Sequence, residues 1–144
     1  MNKILVVCIG NICRSPMAEA LLRRDLPAKT IYSAGIHAMI GNPADPHSIL
    51  IMHEQGIDIA GHRAQQLTEP LVSAADLILT MDSEQQRLIE SNYSTSRGKV
   101  RRLGEFGKFD IPDPYRMGME KFRASYRLIE LGVNDLTSRL LAFS

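Results

Sequence analysis

Cysteine, arginine and serine stand close together near the start of the chain, in Cys8-Ile9-Gly10-Asn11-Ile12-Cys13-Arg14-Ser15. Gly10 and Asn11 are residue types that tolerate the unusual backbone angles of a tight loop. Such a loop turns successive amide N–H groups inward, and a helix start behind it adds the positive end of its dipole. The product is an anion cradle. A cysteine at its mouth is favoured as the thiolate, the nucleophilic form of the side chain. Arg14 brings a planar fork that matches two phosphate oxygens at once, which a lysine does not. Ser15 is placed to donate to the thiolate and stabilise it as a leaving group. Taken singly, a free cysteine at a strand end is more often a small buried hydrophobe. Here the glycine, the arginine, the serine and the strand–loop–helix setting agree on attack at phosphorus.

A loop of this kind needs a strand to deliver it and a helix to receive it. Ile4-Leu5-Val6-Val7 is a continuous apolar run, as expected of a strand buried on both faces of a parallel sheet. Ser15-Pro16 reads as the N-cap and first residue of a helix, since serine accepts from an orphan amide and proline has none to satisfy. That helix carries Ala18, Leu21 and Leu22 on one face and stops before Pro27. Thr30 to Ser33 is a short strand ending at Gly35, and Asp45-Pro46 caps a helix that runs to Gly56. Ala75 to Met81 is another buried strand, Asp82 with Gln85 opens a helix through Leu88 and Ile89, and Lys99 to Leu103 is a fourth strand. Phe122, Tyr126, Ile129, Val133, Leu136 and Leu140 recur at steps of four and three, a closing amphipathic helix with Gly132 inside it. This alternation predicts an α/β fold, a three-layer α/β/α sandwich around a central four-stranded parallel sheet with an N-terminal phosphate-binding loop. Ligands of such sheets bind beyond the carboxyl ends of the strands, where Cys8 stands.

The length of 144 residues suits one domain, read as residues 1–144. Hydrophobic residues at 44% and charged residues at 23% argue against disorder. The 17 basic and 16 acidic side chains leave a charge of +1, and residues 1–72 carry six of each sign. Without a basic or acidic half, binding to nucleic acid or to a membrane surface is not expected. The apolar run Ile4 to Ile9 is too short for a membrane span or a signal segment, so the expected location is the cytoplasm. Two cysteines, Cys8 and Cys13, make no disulfide framework.

A thiolate that displaces an alcohol from phosphorus needs a partner to protonate the departing oxygen. Asp110 and Asp113 are both candidates, and composition does not choose between them, since Asp-Pro is also a common turn starter. His37, His47, His53 and His62 are scattered without metal-ligand spacing, so no metal or other cofactor is expected. Arg97, Lys99, Arg101 and Arg102 cluster, but alternation along a strand splits them between two faces.

The segment Cys8 to Ser15 resembles the C-x5-R-S signature of the low-molecular-weight protein tyrosine phosphatases, which carry it near the N-terminus. The likeness continues through Ser33-Ala34-Gly35, Gly61-His62-Arg63-Ala64-Gln65-Gln66, Asp76-Leu77-Ile78-Leu79-Thr80-Met81-Asp82 and Ile111-Pro112-Asp113-Pro114-Tyr115. It looks closest to the bacterial branch associated with tyrosine kinases of capsule and exopolysaccharide export. The eukaryotic pattern has a second tyrosine after Asp-Pro-Tyr, where this chain has Arg116. The resemblance implies a hydrolase of protein phosphotyrosine that works through a cysteinyl-phosphate, with a phosphotyrosine protein, such as a bacterial tyrosine autokinase, as its partner. It selects Asp113 as the acid and Tyr115 as a wall of the substrate cleft. It assigns His62, with Asn11, Ser15 and Ser33, to a network bracing the loop. Cys13 becomes a thiol that captures oxidised Cys8 as a disulfide, beside its plainer reading as a packed side chain. Ile9, Ile12, Met39 and Ile40 are expected to line the substrate side, favouring an aryl phosphate.

Two rivals share the loop. An arsenate reductase of the thioredoxin-coupled type passes a disulfide to two later cysteines, and no cysteine follows Cys13. A non-catalytic phosphotyrosine-binding module is expected to lose the nucleophile, the arginine or the acid, and all three residue types are present.

Overall fold

The computed structural model describes residues 1–142; the last two residues of the expected domain lie outside the described residues. In chain order the elements are β1 (Lys3–Cys8), α1 (Arg14–Asp25), β2 (Thr30–Gly35), α2 (Pro46–Glu54), α3 (Glu69–Ala74), β3 (Leu77–Thr80), α4 (Ser83–Asn92), β4 (Val100–Arg102) and α5 (Met119–Ala142). The strands form one parallel sheet in the order β2-β1-β3-β4. After β2 the chain crosses to the other side of β1, so the strand order reverses beside β1. A crevice opens at such a switch point, beyond the carboxyl ends of the strands.

Side chains of β1 alternate between two cores. Ile4, Val6 and Cys8 join residues of α1, α2 and α5, whereas Leu5 and Val7 join Val72 of α3, Ile89 of α4 and Val100 of β4. Helices therefore cover both faces, giving the three layers, and Ile4 to Val7 are fully buried. Asp45 caps α2 through the His47 amide at 2.9 Å, Pro46 opens the helix, and Gly56 follows it at φ 78. Asp82 caps α4 through the Gln85 amide at 2.8 Å. Gly132 stands inside α5 because the helix runs against Leu103, whose carbonyl would lie 2.8 Å from an added Cβ.

Three local readings are corrected. Ser15 is not the N-cap of α1: the helix begins at Arg14, with Cys13 as its cap residue and no side-chain cap bond. The Ser15 hydroxyl is engaged elsewhere, and Pro16 sits in the first turn, where a missing amide costs nothing. The strands expected over Ala75–Met81 and Lys99–Leu103 are shorter at both ends. Within the basic cluster, Lys99 and Arg102 are engaged in the fold. Lys99 Nζ donates to the carbonyls of Ser73 and Ala75, and Arg102 pairs with Glu105 and Asp110. No helix among the described residues is long and apolar enough to cross a membrane.

Candidate active site

The loop from Cys8 to Cys13 is held from outside, carbonyl by carbonyl. Cys8 O accepts the Ile36 amide (3.0 Å), Ile9 O the His37 amide (2.9 Å) and Gly10 O the Met39 amide (3.0 Å). Asn11 O accepts His62 Nε2 (2.7 Å), Ile12 O the Asp45 amide (2.8 Å) and Cys13 O the Ser48 hydroxyl (3.0 Å). With six consecutive carbonyls turned outward, the amides between them face the other way. Among the described residues, none of the amides of Ile9 to Cys13 donates to a protein acceptor. They and the N-terminus of α1 form a positive concavity at the end of β1.

Asn11 is the hub of this loop. It is fully buried, with φ 60, a conformation that costs a non-glycine residue of order 1 kcal/mol. Its side chain makes three hydrogen bonds, worth roughly 3 kcal/mol together, which outweigh that cost. Nδ2 donates to Ser15 Oγ (2.7 Å) and Ser33 Oγ (3.0 Å), and Oδ1 accepts the Gln65 amide (2.9 Å). These bonds fix proton directions. Ser15 Oγ receives a hydrogen from Asn11, and with Cys8 as the thiolate, which only accepts, its own proton points at Cys8 Sγ, 3.0 Å away. Ser33 likewise passes its proton to Glu19, which in turn pairs with Arg23 at 2.7 Å. His62 must carry its hydrogen on Nε2, because a carbonyl only accepts.

Arg14 lies behind the cysteine and is 2% exposed. One terminal nitrogen donates to Ile111 O at 2.7 Å. Carboxylates flank the guanidinium on both sides, Asp82 at 3.9 Å and Asp113 at 3.7 Å. Both separations exceed a hydrogen bond, so these charges orient the fork without using up its donors. Arg14 Nε has no protein partner, and an oxyanion in the cradle would satisfy it. Asp113 is half exposed, and its other oxygen accepts the Tyr115 amide at 3.1 Å. Asp110 points away from the cleft, held by Arg102 at 3.1 Å and Ser83 at 3.4 Å.

These residues open on a cleft of about 220 Å3 lined by Cys8, Ile9, Gly10, Ile12, Cys13, Arg14, His37, Met39, Asp113 and Tyr115. Asn11 and Ser15 lie behind this wall, fully buried. Ser33 and His62 lie further back, on the bracing network. Ile40 was expected in the lining and is not there: its side chain is 70% exposed, because the chain turns outward after Met39. Burial pushes the Cys13 thiol well above the ordinary thiol range, with Asp45, Cys8 and Asp113 adding to the effect and Arg14 opposing it. Both cysteines are free. Among the described residues no three His, Cys, Asp or Glu side chains group as a metal ion would need.

Sequence reasoning did not single out Glu19, His37, Gln65 or Ile111 for the site, and found Asp82 only as a helix cap. Three of these act through a backbone group or through another side chain, and no spacing rule marks such residues. His37 carried a signal, since it follows the second strand end, the same sheet edge as Cys8.

The family model described as low molecular weight phosphotyrosine protein phosphatase matches residues 3–142. EpsP of Ralstonia nicotianae, named as a probable low molecular weight protein-tyrosine-phosphatase, is 54% identical over 142 residues, spanning 99% of this chain and 98% of that protein. Vibrio vulnificus Wzb, solved in complex with benzylphosphonate, is 43% identical with a TM-score of 0.92, over 96% of this chain and 98% of that one. The YwlE arginine phosphatase from Geobacillus stearothermophilus is 34% identical, also with a TM-score of 0.92, over 99% and 94% of the two chains.

Proposed function

The chain belongs to the low molecular weight phosphotyrosine protein phosphatases, and on that premise we propose that it hydrolyses protein phosphotyrosine with Cys8, Arg14 and Asp113 as its reacting groups. The Cys8 thiolate attacks phosphorus as the bond to the tyrosyl oxygen breaks, and Asp113 protonates that oxygen. The product is a cysteinyl-phosphate. Asp113, now a carboxylate, takes a proton from water, whose oxygen attacks phosphorus and expels the Cys8 thiolate. Ser15, donating at 3.0 Å, stabilises the sulfur as it leaves. Arg14 and the loop amides hold the charge spread over the transferring group.

The observation that carries this reading is the run of six outward-held carbonyls, which leaves the loop amides facing the cleft beside Cys8. Apolar and aromatic walls, Ile9, Ile12, Met39 and Tyr115, suit an aryl group rather than a sugar. The partner in this reading is a bacterial tyrosine autokinase that controls exopolysaccharide production or export, supported by the bacterial-type sequence and by 54% identity to EpsP. The same reading puts the chain in the cytoplasm, where a catalytic thiol stays reduced.

The test is turnover of p-nitrophenyl phosphate, phosphotyrosine peptides and phosphoarginine. Wild type is expected to hydrolyse the first two, and Cys8→Ser or Arg14→Ala to abolish turnover while Cys8→Ser still binds phosphotyrosine. Asp113→Asn should lower kcat for aryl phosphates by ~10²–10⁴-fold, less for acidic leaving phenols, and Asp110→Asn much less with no such trend. Substantial turnover by Cys8→Ser, or hydrolysis of phosphoarginine alone, would overturn the reading.

A further inference from the structure

The wall of the cleft built by Asp113 and Tyr115 continues outward, and the charge it carries there has no counterpart in the fold. Asp113 accepts the Tyr115 amide at 3.1 Å, and the Met117 amide reaches Pro114 O at 2.9 Å. The resulting turn sets Arg116 at φ 64, a backbone conformation in which glycine is the easy choice. The guanidinium of Arg116 lies 5.2 Å above the ring centre of Tyr115, itself part of the cleft wall. A groove of about 170 Å3 shares Asp113 with the cleft and is bordered by Pro114, Met117 and Lys121. Like several other surface cations among the described residues, Arg116 and Lys121 pair with no carboxylate; what sets them apart is their place beside the cleft wall.

We infer that Arg116, with Lys121 in the adjoining groove, forms an anion subsite that takes an acidic or phosphorylated side chain flanking the phosphotyrosine of the substrate. The inference rests on the reading of the cleft as the phosphotyrosine site. A guanidinium fork matches a carboxylate or a phosphate with two parallel hydrogen bonds. Stacking on Tyr115 holds that fork in place before substrate arrives, so less side-chain freedom is lost on binding. The stack also couples the subsite to the wall against which the aryl ring would lie. Both cations are at the surface, where an ion pair changes affinity by only about two- to fivefold, and salt weakens it.

The experiment compares kcat/KM on phosphotyrosine peptides that differ in one flanking residue: glutamine, glutamate or a second phosphotyrosine. Wild type should prefer the glutamate peptide to the glutamine peptide by ~3–10-fold at low salt, through KM, and the preference should shrink in 0.5 M salt, roughly as screening requires. Arg116→Gly suits the positive φ while removing the cation, and its glutamate-to-glutamine ratio should fall to about two, the share left to Lys121. Arg116→Lys should retain part of the ratio, and Lys121→Gln should lower it by about twofold. If only the doubly phosphorylated peptide is preferred, the anion accepted is a phosphate; preference for both assigns the subsite to negative charge in general. Turnover of the glutamine peptide with no charge preference overturns the subsite alone. No turnover of any phosphotyrosine peptide overturns the reading of the cleft, and the subsite with it.

Discussion

Replacing Gly35 by alanine tests whether the phosphate loop owes its shape to the strand beside it. Gly35 ends β2, opposite Cys8 in the sheet register, with its amide on Gln65 O (2.9 Å) and its carbonyl on the Leu67 amide (2.8 Å). A Cβ built there would stand 2.6 Å from Ile9 O and 3.0 Å from Ala38 Cα, and neither neighbour is a flexible side chain. Restoring an ordinary contact moves the Ile9 peptide by ~0.6 Å, and overpacking of this kind costs ~1–3 kcal/mol. With an unfolding entropy of ~2.1 cal/mol/K per residue, that cost lowers Tm by ~3–10 °C. Ile9 follows the nucleophile, and a misplacement approaching 1 Å in a reacting geometry costs up to ~10²-fold, so kcat for p-nitrophenyl phosphate should fall ~10-fold or more. Gly61→Ala is the control, since an added Cβ there meets nothing within 4 Å. Calorimetry and steady-state kinetics on both variants give the answer. If Gly35→Ala melts and turns over like wild type, the contact with Ile9 does not shape the loop.

Two further predictions concern buried titratable groups. Peroxide should convert Cys8 to a sulfenic acid that Cys13 captures as a disulfide, seen as a loss of two hydrogens in intact mass and reversed by dithiothreitol. Because burial holds Cys13 as the thiol, closure should speed up as pH rises; sulfinic Cys8 in wild type, without a disulfide, would show that Cys13 protects nothing. Burial, then the Glu130 carboxylate that accepts its hydroxyl at 3.1 Å, push the Tyr126 phenol up to about 12. A raised folded-state value gives stability that is complete below the ordinary value near ~10 and lost as pH rises through about 12. Thermal melts should therefore drop over that window in wild type and less in Tyr126→Phe.

What the sequence disclosed were features whose signal is local. The apolar run of β1, the Asp45-Pro46 and Asp82 caps and the periodicity of α5 all depend on residues within one or two turns of each other, and each element formed there. Ser15 shows where local rules stop. A serine before a proline is a good cap by itself, but here Asn11 and Cys8 claim its hydroxyl and the helix starts two residues earlier. α3, six residues long and opened by Glu69-Pro70, carries too little periodicity to be read. Ile40 failed because the direction of a loop side chain is set by what the loop packs on, and spacing does not encode it.

The same distinction separates chemistry from geometry at the candidate site. Residue types near Cys8 were legible because phosphate chemistry narrows them: a thiol, a planar cation, a hydroxyl, and glycine or asparagine where the chain must bend. The shape of the cradle was not, because the loop does not make it alone. Its carbonyls are drawn outward by Ile36, His37, Met39, Asp45, Ser48 and His62, which lie about 25 to 50 positions further along the chain. Asp110 and Asp113 make the point again, being equivalent in composition and three residues apart. Arg102 and Ser83 hold the first away from the cleft, while the Tyr115 amide and the Arg14 guanidinium hold the second at its rim. A variant that leaves Cys8 to Ser15 untouched but removes one outside donor, such as the His62 ring, therefore reaches the reacting centre through the loop backbone.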